Sequence, residues 1–118
     1  MEFIKIINKS ELTRVRPDDV LYFEADGNYT NMVLRTGRVF KFTKLIKDFA
    51  SLLNGLDNNP FTRVGRSYLV NRNYIFQINV KKQHIILGGN GMSTEKELST
   101  KREPIHELME TLKEEIAI

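Results

Sequence analysis

The 118-residue sequence contains no cysteine, no tryptophan and no long apolar run. The lack of cysteine excludes disulfides and thiolate metal sites, and it is typical of proteins from a reducing compartment. No stretch approaches the roughly 20 apolar residues of a membrane-spanning helix. The first eight residues also lack the charged, apolar and small-residue order of a signal peptide. We therefore expect a cytoplasmic protein without a membrane span.

Acidic residues are absent from two stretches that are rich in lysine and arginine. Residues 32–47 and 58–91 contain no aspartate or glutamate, and their cations are Arg35, Arg38, Lys41, Lys44, Lys47, Arg63, Arg66, Arg72, Lys81 and Lys82. Two acid-free basic stretches in one small protein favour an anionic polymer or a membrane surface as the partner. The alternative is a solvated surface that happens to be basic.

Residues for catalysis are equally sparse. The two histidines, His84 and His106, have no metal-ligand spacing around them. Glu24 and Asp26 could project together beside a turn, but a turn capped by aspartate is far commoner than an acid–base pair. Ser67 has no candidate base near it in the sequence. We expect no catalysis, no metal site and no cofactor.

The hydrophobic pattern predicts a mainly β protein. The length allows one domain over residues 1–118 with a single modest core. We predict about seven short strands, and the first three form an antiparallel meander with tight turns. The placed strands cover residues 20–23, 29–34, 38–42, 67–70, 74–80 and 84–87. Nothing indicates βαβ units, so the sheets should be antiparallel.

Two amphipathic helices are predicted, one internal and one terminal. The first has Thr43 as its N-cap, Gly55 as its C-cap and an apolar face formed by Leu45, Ile46, Phe49, Leu52 and Leu53. The second begins with a capping box over residues 100–103 and has Pro104 in its first turn. Its apolar stripe is Ile105, Leu108, Met109, Leu112 and Ile116. This stripe could pack on the protein's own sheet or against a second copy.

The most informative segment is residues 61–71. It joins two cations, Arg63 and Arg66, to a following run of strand formers. This order predicts charges at the mouth of a strand, where they can reach a phosphate chain or a groove. Gly65 lies between the cations and removes a side chain where a backbone approaches a phosphate closely.

Two other polar loops carry residues suited to nucleic acid. They are Asn28-Tyr29-Thr30-Asn31 and Ser99-Thr100-Lys101-Arg102. Asparagine can read adenine, and arginine can bond guanine edges or phosphate. Neither predicted helix has the outer face of a recognition helix. The pattern favours loop-mediated DNA binding, with the hypothesis that the three loops converge on one edge of the sheets.

From about Val20 to Leu112 the sequence resembles the LytTR domain, the output module of many bacterial response regulators. Residues 20–29 are similar to the family's pattern "I-x-Y-I-E-A-x-G-N-Y". The helix at residues 45–53 and the segment 61–71 follow in the family's order. Leu98-Ser99 stands where the family has "V-S-R". Three such pieces in order, with matching gaps, are specific.

The resemblance implies an elongated arrangement of small antiparallel sheets with one short internal helix and a C-terminal helix. Such a domain inserts loops into successive major grooves of DNA. By position, the contacts to bases and phosphates would come from the loop around Asn28, Tyr29 and Thr30, from Arg66, and from Lys101. Further phosphate contacts would come from Lys44, Arg63, Ser67 and Arg102. Tyr68 and Asn71 would hold the motif in shape.

The sequence departs from the family's pattern at two positions. The family usually has histidine where Gly65 stands and arginine where Thr100 stands. The first departure loses one polar contact, and Lys101-Arg102 can replace the second. Both concern base specificity and leave the expected fold unchanged.

The resemblance also implies the partners. These are double-stranded DNA with repeated half-sites, a second copy of the domain on that DNA, and no membrane. The chain is either an output domain that follows a receiver domain in a longer protein, or a stand-alone regulator. The rival to sequence-specific DNA binding is a β-rich interaction module whose basic edge binds an acidic protein or an anionic surface. A small enzyme is a further alternative, which the lack of any catalytic constellation disfavours.

Overall fold

The computed structural model describes residues 2–89 and 91–115. Within these residues, ten strands form three antiparallel sheets, and the chain also forms two α-helices and two short 3₁₀ helices, Pro17–Asp19 and Arg72–Tyr74. The chain divides into two compact units, Met1–Asn73 and Tyr74–Ile118. The predicted mainly β class, with a short internal helix and a C-terminal helix, is confirmed. One domain over residues 1–118 stays a prediction.

The first unit contains seven strands and one helix. The strands are β1 (Ile4–Asn8), β2 (Glu11–Val15), β3 (Val20–Asp26), β4 (Tyr29–Leu34), β5 (Val39–Phe42), β6 (Phe61–Val64) and β7 (Tyr68–Asn71), and the helix is α1 (Ile46–Leu53). Strands β1 and β2 form a two-stranded sheet. The other five form one sheet in the order β5-β4-β3-β7-β6, with every pairing antiparallel.

Strand β3 is the central strand because its sequence is apolar on both faces. Val20, Leu21, Tyr22 and Phe23 are all buried. Phe23 packs against Phe49 of α1, with ring centroids 4.9 Å apart, and against Phe61 of β6 at 5.5 Å. Burying such a ring stabilises the fold by about 3 kcal/mol. The continuous apolar run therefore fixes the middle of the sheet under α1.

The hairpin between β3 and β4 has a tip of two residues, Gly27-Asn28. Asp26 pairs with Tyr29, which closes the turn directly above the strands. Gly27 has φ +60°, a conformation that glycine adopts without the steric cost borne by other residues. The tight turn predicted between the first two strands of the meander is confirmed, and it fixes the register of the two strands.

The caps predicted for α1 are wrong. Leu45 is the N-cap, and its backbone N–H donates to the Asp48 carboxylate at 3.2 Å. Thr43 instead donates its N–H and its hydroxyl to Asn8 Oδ1, at 3.0 and 2.8 Å. The C-cap is Asn54, one residue before the predicted Gly55. Local capping patterns were outweighed by a tertiary hydrogen bond to the first hairpin.

The predicted apolar face of α1 is also broader than the observed one. Ile46, Phe49 and Leu53 are buried and belong to the core. Leu45 and Leu52 are 39% and 45% exposed. The helix therefore contacts the sheet through one narrow stripe, and the outer leucines face away from it.

The second unit contains three strands and one helix: β8 (Ile75–Asn79), β9 (His84–Leu87), β10 (Lys96–Ser99) and α2 (Arg102–Leu112). The sheet order is β10-β9-β8, all antiparallel. Its buried apolar residues are Tyr74, Ile85, Leu87, Leu98, Ile105 and Leu108.

Helix α2 confirms part of its prediction. Pro104 lies in the first turn, where its missing N–H costs nothing. The predicted capping box is wrong, because Lys101 is the N-cap and makes no side-chain capping bond. Of the predicted stripe, Ile105 and Leu108 are buried, and Ile116 lies outside the described residues. Neither of the helices described has the length and apolar content to cross a membrane.

Candidate nucleic-acid interface

One end of the five-stranded sheet gathers three connecting segments. Strands β3, β5 and β6 end there, and β4 and β7 begin there. The segments are the tip at residues 27–28, the tip at residues 65–67 and the start of the β5–α1 connection at residues 43–44. The N–H of Ala25 donates to the carbonyl of Ser67 at 2.8 Å, which extends the β3–β7 pairing into the second tip. We call this end of the sheet the tip end.

The tip end carries seven of the nine predicted contact residues: Asn28, Tyr29, Thr30, Lys44, Arg63, Arg66 and Ser67. The two hairpin tips are centred two strand spacings apart, which is about 10 Å. The sequence placed these residues in separate segments, and the antiparallel register is what brings them together. The other two, Lys101 and Arg102, belong to the second unit.

Three side chains at the tip end are available to a ligand. Within the described residues, the side chains of Asn28, Lys44 and Arg66 make no hydrogen bond or ion pair. Asn28 and Arg66 are exposed, and Lys44 is half-buried. An amide and two cations supply the donors that base edges and phosphates accept.

The sequence suggested that Arg63 lies at the mouth of a strand. In the structure it lies within β6. Its Nε donates to the carbonyl of Gly65 at 3.0 Å, and its Nη2 donates to the carbonyl of Arg66 at 3.3 Å. Gly65 has φ +60°, so the turn depends on a left-handed residue that these bonds hold in place. The guanidinium thereby fixes the backbone that carries Arg66.

Thr30 is fully buried. Its hydroxyl donates to the backbone carbonyl of Lys44 at 2.7 Å. In this conformation the side chain has no surface to offer a ligand. It ties the start of β4 to the segment that carries Lys44, and so links two of the predicted contact segments.

The one carboxylate at the first tip is held by a neighbouring cation. Lys41 Nζ lies 3.0 Å from Asp26 Oδ2, and Asn31 donates to the same oxygen at 3.4 Å. The hydrogen bond from Lys41, its positive charge and the Asn31 bond lower the pKa of Asp26. Lys41 also lies 5.4 Å from the centre of the Tyr29 ring. Sequence reasoning missed this neutralising role of Lys41, for which strand pairing was the only signal.

A tyrosine pair lies behind the second tip, on β3 and β7. The rings of Tyr22 and Tyr68 meet edge to face, with centroids 5.9 Å apart. Burial, the charge of Glu24 and the neighbouring Tyr68 raise the pKa of Tyr22 to about 12. Burial first, and then the charge and hydrogen bond of Glu24, raise the pKa of Tyr68 as well. Both phenols therefore stay neutral at ordinary pH.

Asn71 anchors the far end of β7. It is completely buried, and its Nδ2 donates to the carbonyls of Val20 at 3.0 Å and Pro17 at 3.3 Å. Its Oδ1 accepts the N–H of Asn73 at 3.0 Å. The side chain joins the ends of two strands, which agrees with its predicted structural role.

In the second unit, Lys101 and Arg102 begin α2 directly after β10, and both are exposed. His84, on β9, has its Nδ1 2.8 Å from Glu97 Oε1. Among the described residues, no three or more histidine, aspartate or glutamate side chains are grouped to hold a metal ion.

The tip end thus combines loops, cations and an amide on a β scaffold. The model of the LytTr DNA-binding domain family matches residues 10–113. The chain belongs to the LytTR family. Its mainly β architecture and its basic tips are therefore those of a member of a DNA-binding, regulatory domain family.

A solved LytTR structure shares this domain's fold. It is described as the "LytTr DNA-binding domain of putative methyl-accepting/DNA response regulator from Bacillus cereus", with a TM-score of 0.60 and 18% sequence identity. The similarity covers 96% of this chain and 95% of that one. A comparison with curated proteins found no match to this sequence.

Proposed function

We propose that this LytTR domain binds double-stranded DNA sequence-specifically and acts in bacterial transcriptional regulation. The observation that carries the proposal is the tip end, where two hairpin tips and Lys44 meet at one end of the sheet. The proposed role is binding without catalysis, in the cytoplasm. DNA binding itself follows from membership of the LytTR family.

The dimensions of the tip end support insertion into a major groove. Each tip joins two strands about 5 Å apart, so each is narrower than the major groove of B-DNA, which is about 12 Å wide. Each tip can therefore enter a major groove as a loop. No helix is needed for base contact.

The side chains divide between reading bases and holding phosphates. Arg66 and Asn28 extend from the two tips and would discriminate base edges. Lys44 and Ser67, at the rim, would contact phosphates, as would Lys101 and Arg102 of the second unit. Tyr29 would contribute an exposed ring beside the first tip. Arg63 and Thr30 would act through the backbone positions that they fix.

We propose that two copies bind repeated half-sites on the DNA. The similar structure from Bacillus cereus is a DNA-binding domain of a response regulator. We propose the corresponding context for this domain, with a receiver domain in the same protein. A stand-alone regulator remains the alternative arrangement.

The first experiment is selection from a pool of randomised duplexes with the purified domain at near-physiological salt. Enrichment of a motif repeated about one helical turn apart would support the proposal and give the half-site. Retention without enrichment, lost as salt rises, would contradict sequence-specific binding.

The matched variants are Arg66→Ala and Arg35→Ala. Arg66 lies at the tip end, whereas Arg35 lies at the other end of the same sheet in an exposed pair with Asp19. Arg66→Ala should cost ~1–3 kcal/mol on the selected duplex and relax the preference at one or two base pairs. Arg35→Ala should leave the selected motif unchanged. Equal weakening on selected and random duplexes would mean that Arg66 contacts only phosphate.

A further inference from the structure

One end of the second sheet brings together two basic segments that are separate in the sequence. In the register of that sheet, Asn79 pairs with His84, and His84 pairs with Ser99. The N–H of Thr100 donates to the carbonyl of Gln83 at 3.1 Å, which carries the pairing one step beyond the strands. The β8–β9 turn therefore lies beside the segment that joins β10 to α2.

Four cations lie on these two segments: Lys81, Lys82, Lys101 and Arg102. All are exposed, and none forms an ion pair with another described residue. The sheet is three strands wide, so the two segments lie within about 10 Å of each other. A DNA strand carries one phosphate per about 3.4 Å of helix axis, so a span of about 10 Å corresponds to about three phosphates.

The β8–β9 turn has a fixed shape. The N–H of Lys82 donates to Asn79 Oδ1 at 2.9 Å, and the N–H of Gln83 donates to the carbonyl of Val80 at 3.2 Å. Gln83 has φ +54°, which turns the chain back into β9. The two lysines are therefore presented by a defined turn, and binding a ligand would not require the turn to form.

Carboxylates near this end are few. Glu97, on β10, faces His84 at 2.8 Å. Glu103 lies in the first turn of α2, beside Arg102. Four lysine and arginine charges thus outnumber the two carboxylates, and the net charge of this end is positive. A positive end of this kind attracts a polyanion.

We propose that Lys81 and Lys82, together with Lys101 and Arg102, form a second phosphate-binding cluster for the DNA backbone. This cluster rests on the proposed function, and it adds the β8–β9 turn to the interface. It supplies affinity without sequence preference, because phosphates are the same at every base pair. Each neutralised phosphate releases counterions. The logarithm of the binding constant then falls more steeply with the logarithm of salt concentration, by about 0.9 in slope per phosphate.

The test is the double variant Lys81→Ala/Lys82→Ala, measured by fluorescence anisotropy on the selected duplex and on a scrambled duplex over a range of salt. The control is Lys96→Ala/Lys113→Ala, which removes two exposed lysines from the same unit. Lys96 begins β10, at the opposite end of the sheet, and Lys113 pairs with Glu110 at 3.3 Å. Both double variants remove the same charge.

We expect the Lys81/Lys82 variant to raise Kd by the same factor on both duplexes and to lower the salt slope by about 1–2. The control should keep the slope of the unchanged protein. Charge reversal at both lysines should enlarge the effect, and thermal melting checks that each variant remains folded. These changes would establish the cluster.

Two results would overturn the cluster in distinguishable ways. If the unchanged protein selects a DNA motif but the variant keeps the slope of the control, the cluster is wrong and the proposed function stands. If the unchanged protein binds no duplex at all, the proposed function and the cluster fail together.

Discussion

Arg63 holds the main chain of Arg66: its Nη2 donates to the Arg66 carbonyl at 3.3 Å, while its Nε donates to the Gly65 carbonyl at 3.0 Å. Two arginines that are three residues apart thus have different tasks. One guanidinium bonds the turn, and the other is free of side-chain bonds to the rest of the described structure. The family resemblance implied that both arginines contact DNA.

Replacing Arg63 tests this division. Arg63→Ala should weaken the free energy of binding to the selected duplex by ~1–3 kcal/mol, because the turn loses both charged hydrogen bonds. Arg63→Lys keeps the charge but lacks the fork needed for both carbonyls, so it should resemble the alanine variant. Anisotropy titrations over a range of salt make the measurement. Recovery of affinity in Arg63→Lys would instead identify Arg63 as a phosphate contact.

Thr30→Val should lower the free energy of unfolding by ~1–2 kcal/mol. Valine has a similar shape, but it leaves the Lys44 carbonyl without the 2.7 Å bond. Urea unfolding measures the change. Thr36→Val is the control: the Thr36 hydroxyl accepts one exposed hydrogen bond from the Arg38 N–H at 3.5 Å, and its loss should change stability by less than about 0.5 kcal/mol. Equal effects at the two positions would contradict a special role for the Thr30 hydroxyl.

Asn71→Ala should be the more severe substitution, with a loss of ~2–4 kcal/mol. It removes three hydrogen bonds, and the carbonyl of the buried Val20 loses the Asn71 amide as a donor. Asn58→Ala, at an exposed loop position, provides the comparison in the same urea experiment. A small loss at Asn71 would show that water replaces the amide.

The raised pKa of Tyr22 predicts that the folded protein loses stability at alkaline pH. Its pKa is raised to about 12 in the folded protein, against an ordinary value of 10.0, because of burial, Glu24 and Tyr68. The contribution is fully present below pH 10 and is lost as pH rises toward 12, since only the unfolded chain ionises freely in that range. The midpoint of unfolding, measured at a series of pH values between about 8 and 12, tests this prediction.

Tyr22→Phe should flatten that alkaline decline, because the buried ring can no longer ionise. Tyr29→Phe, which removes a phenol that is 43% exposed, serves as the control. The expected result is a smaller fall in the Tyr22 variant than in the control. The same fall in both variants would assign the alkaline loss to another group.

The central part of the fold could be predicted because its signals are local. The apolar run at the start of β3 and the Gly27 turn each indicate one structure without reference to the rest of the chain. The strand at β5 is also indicated locally, and within it Val39 is exposed while Phe42 is buried. These elements needed only alternation and turn chemistry.

Other elements were missed because their signals depend on distant partners. Strand β6 was hidden by Arg63, which suggested the mouth of a strand although the residue lies within one. The first hairpin turns at Lys9, which has a φ of +58°. No glycine at this position indicates a left-handed conformation in the sequence. Strand β10 is short and polar, with Leu98 as its only buried residue. The tip end itself follows from register, which no single segment contains.

The tip end separates the residues that would read DNA from those that build the sheet. Asn28 and Arg66 occupy turns of two and three residues, while the ladder behind them keeps the turns about 10 Å apart. Exchanging these tip residues leaves the buried strands untouched. A lineage of such domains could therefore acquire new binding sites through a few surface substitutions, with the same sheet retained throughout.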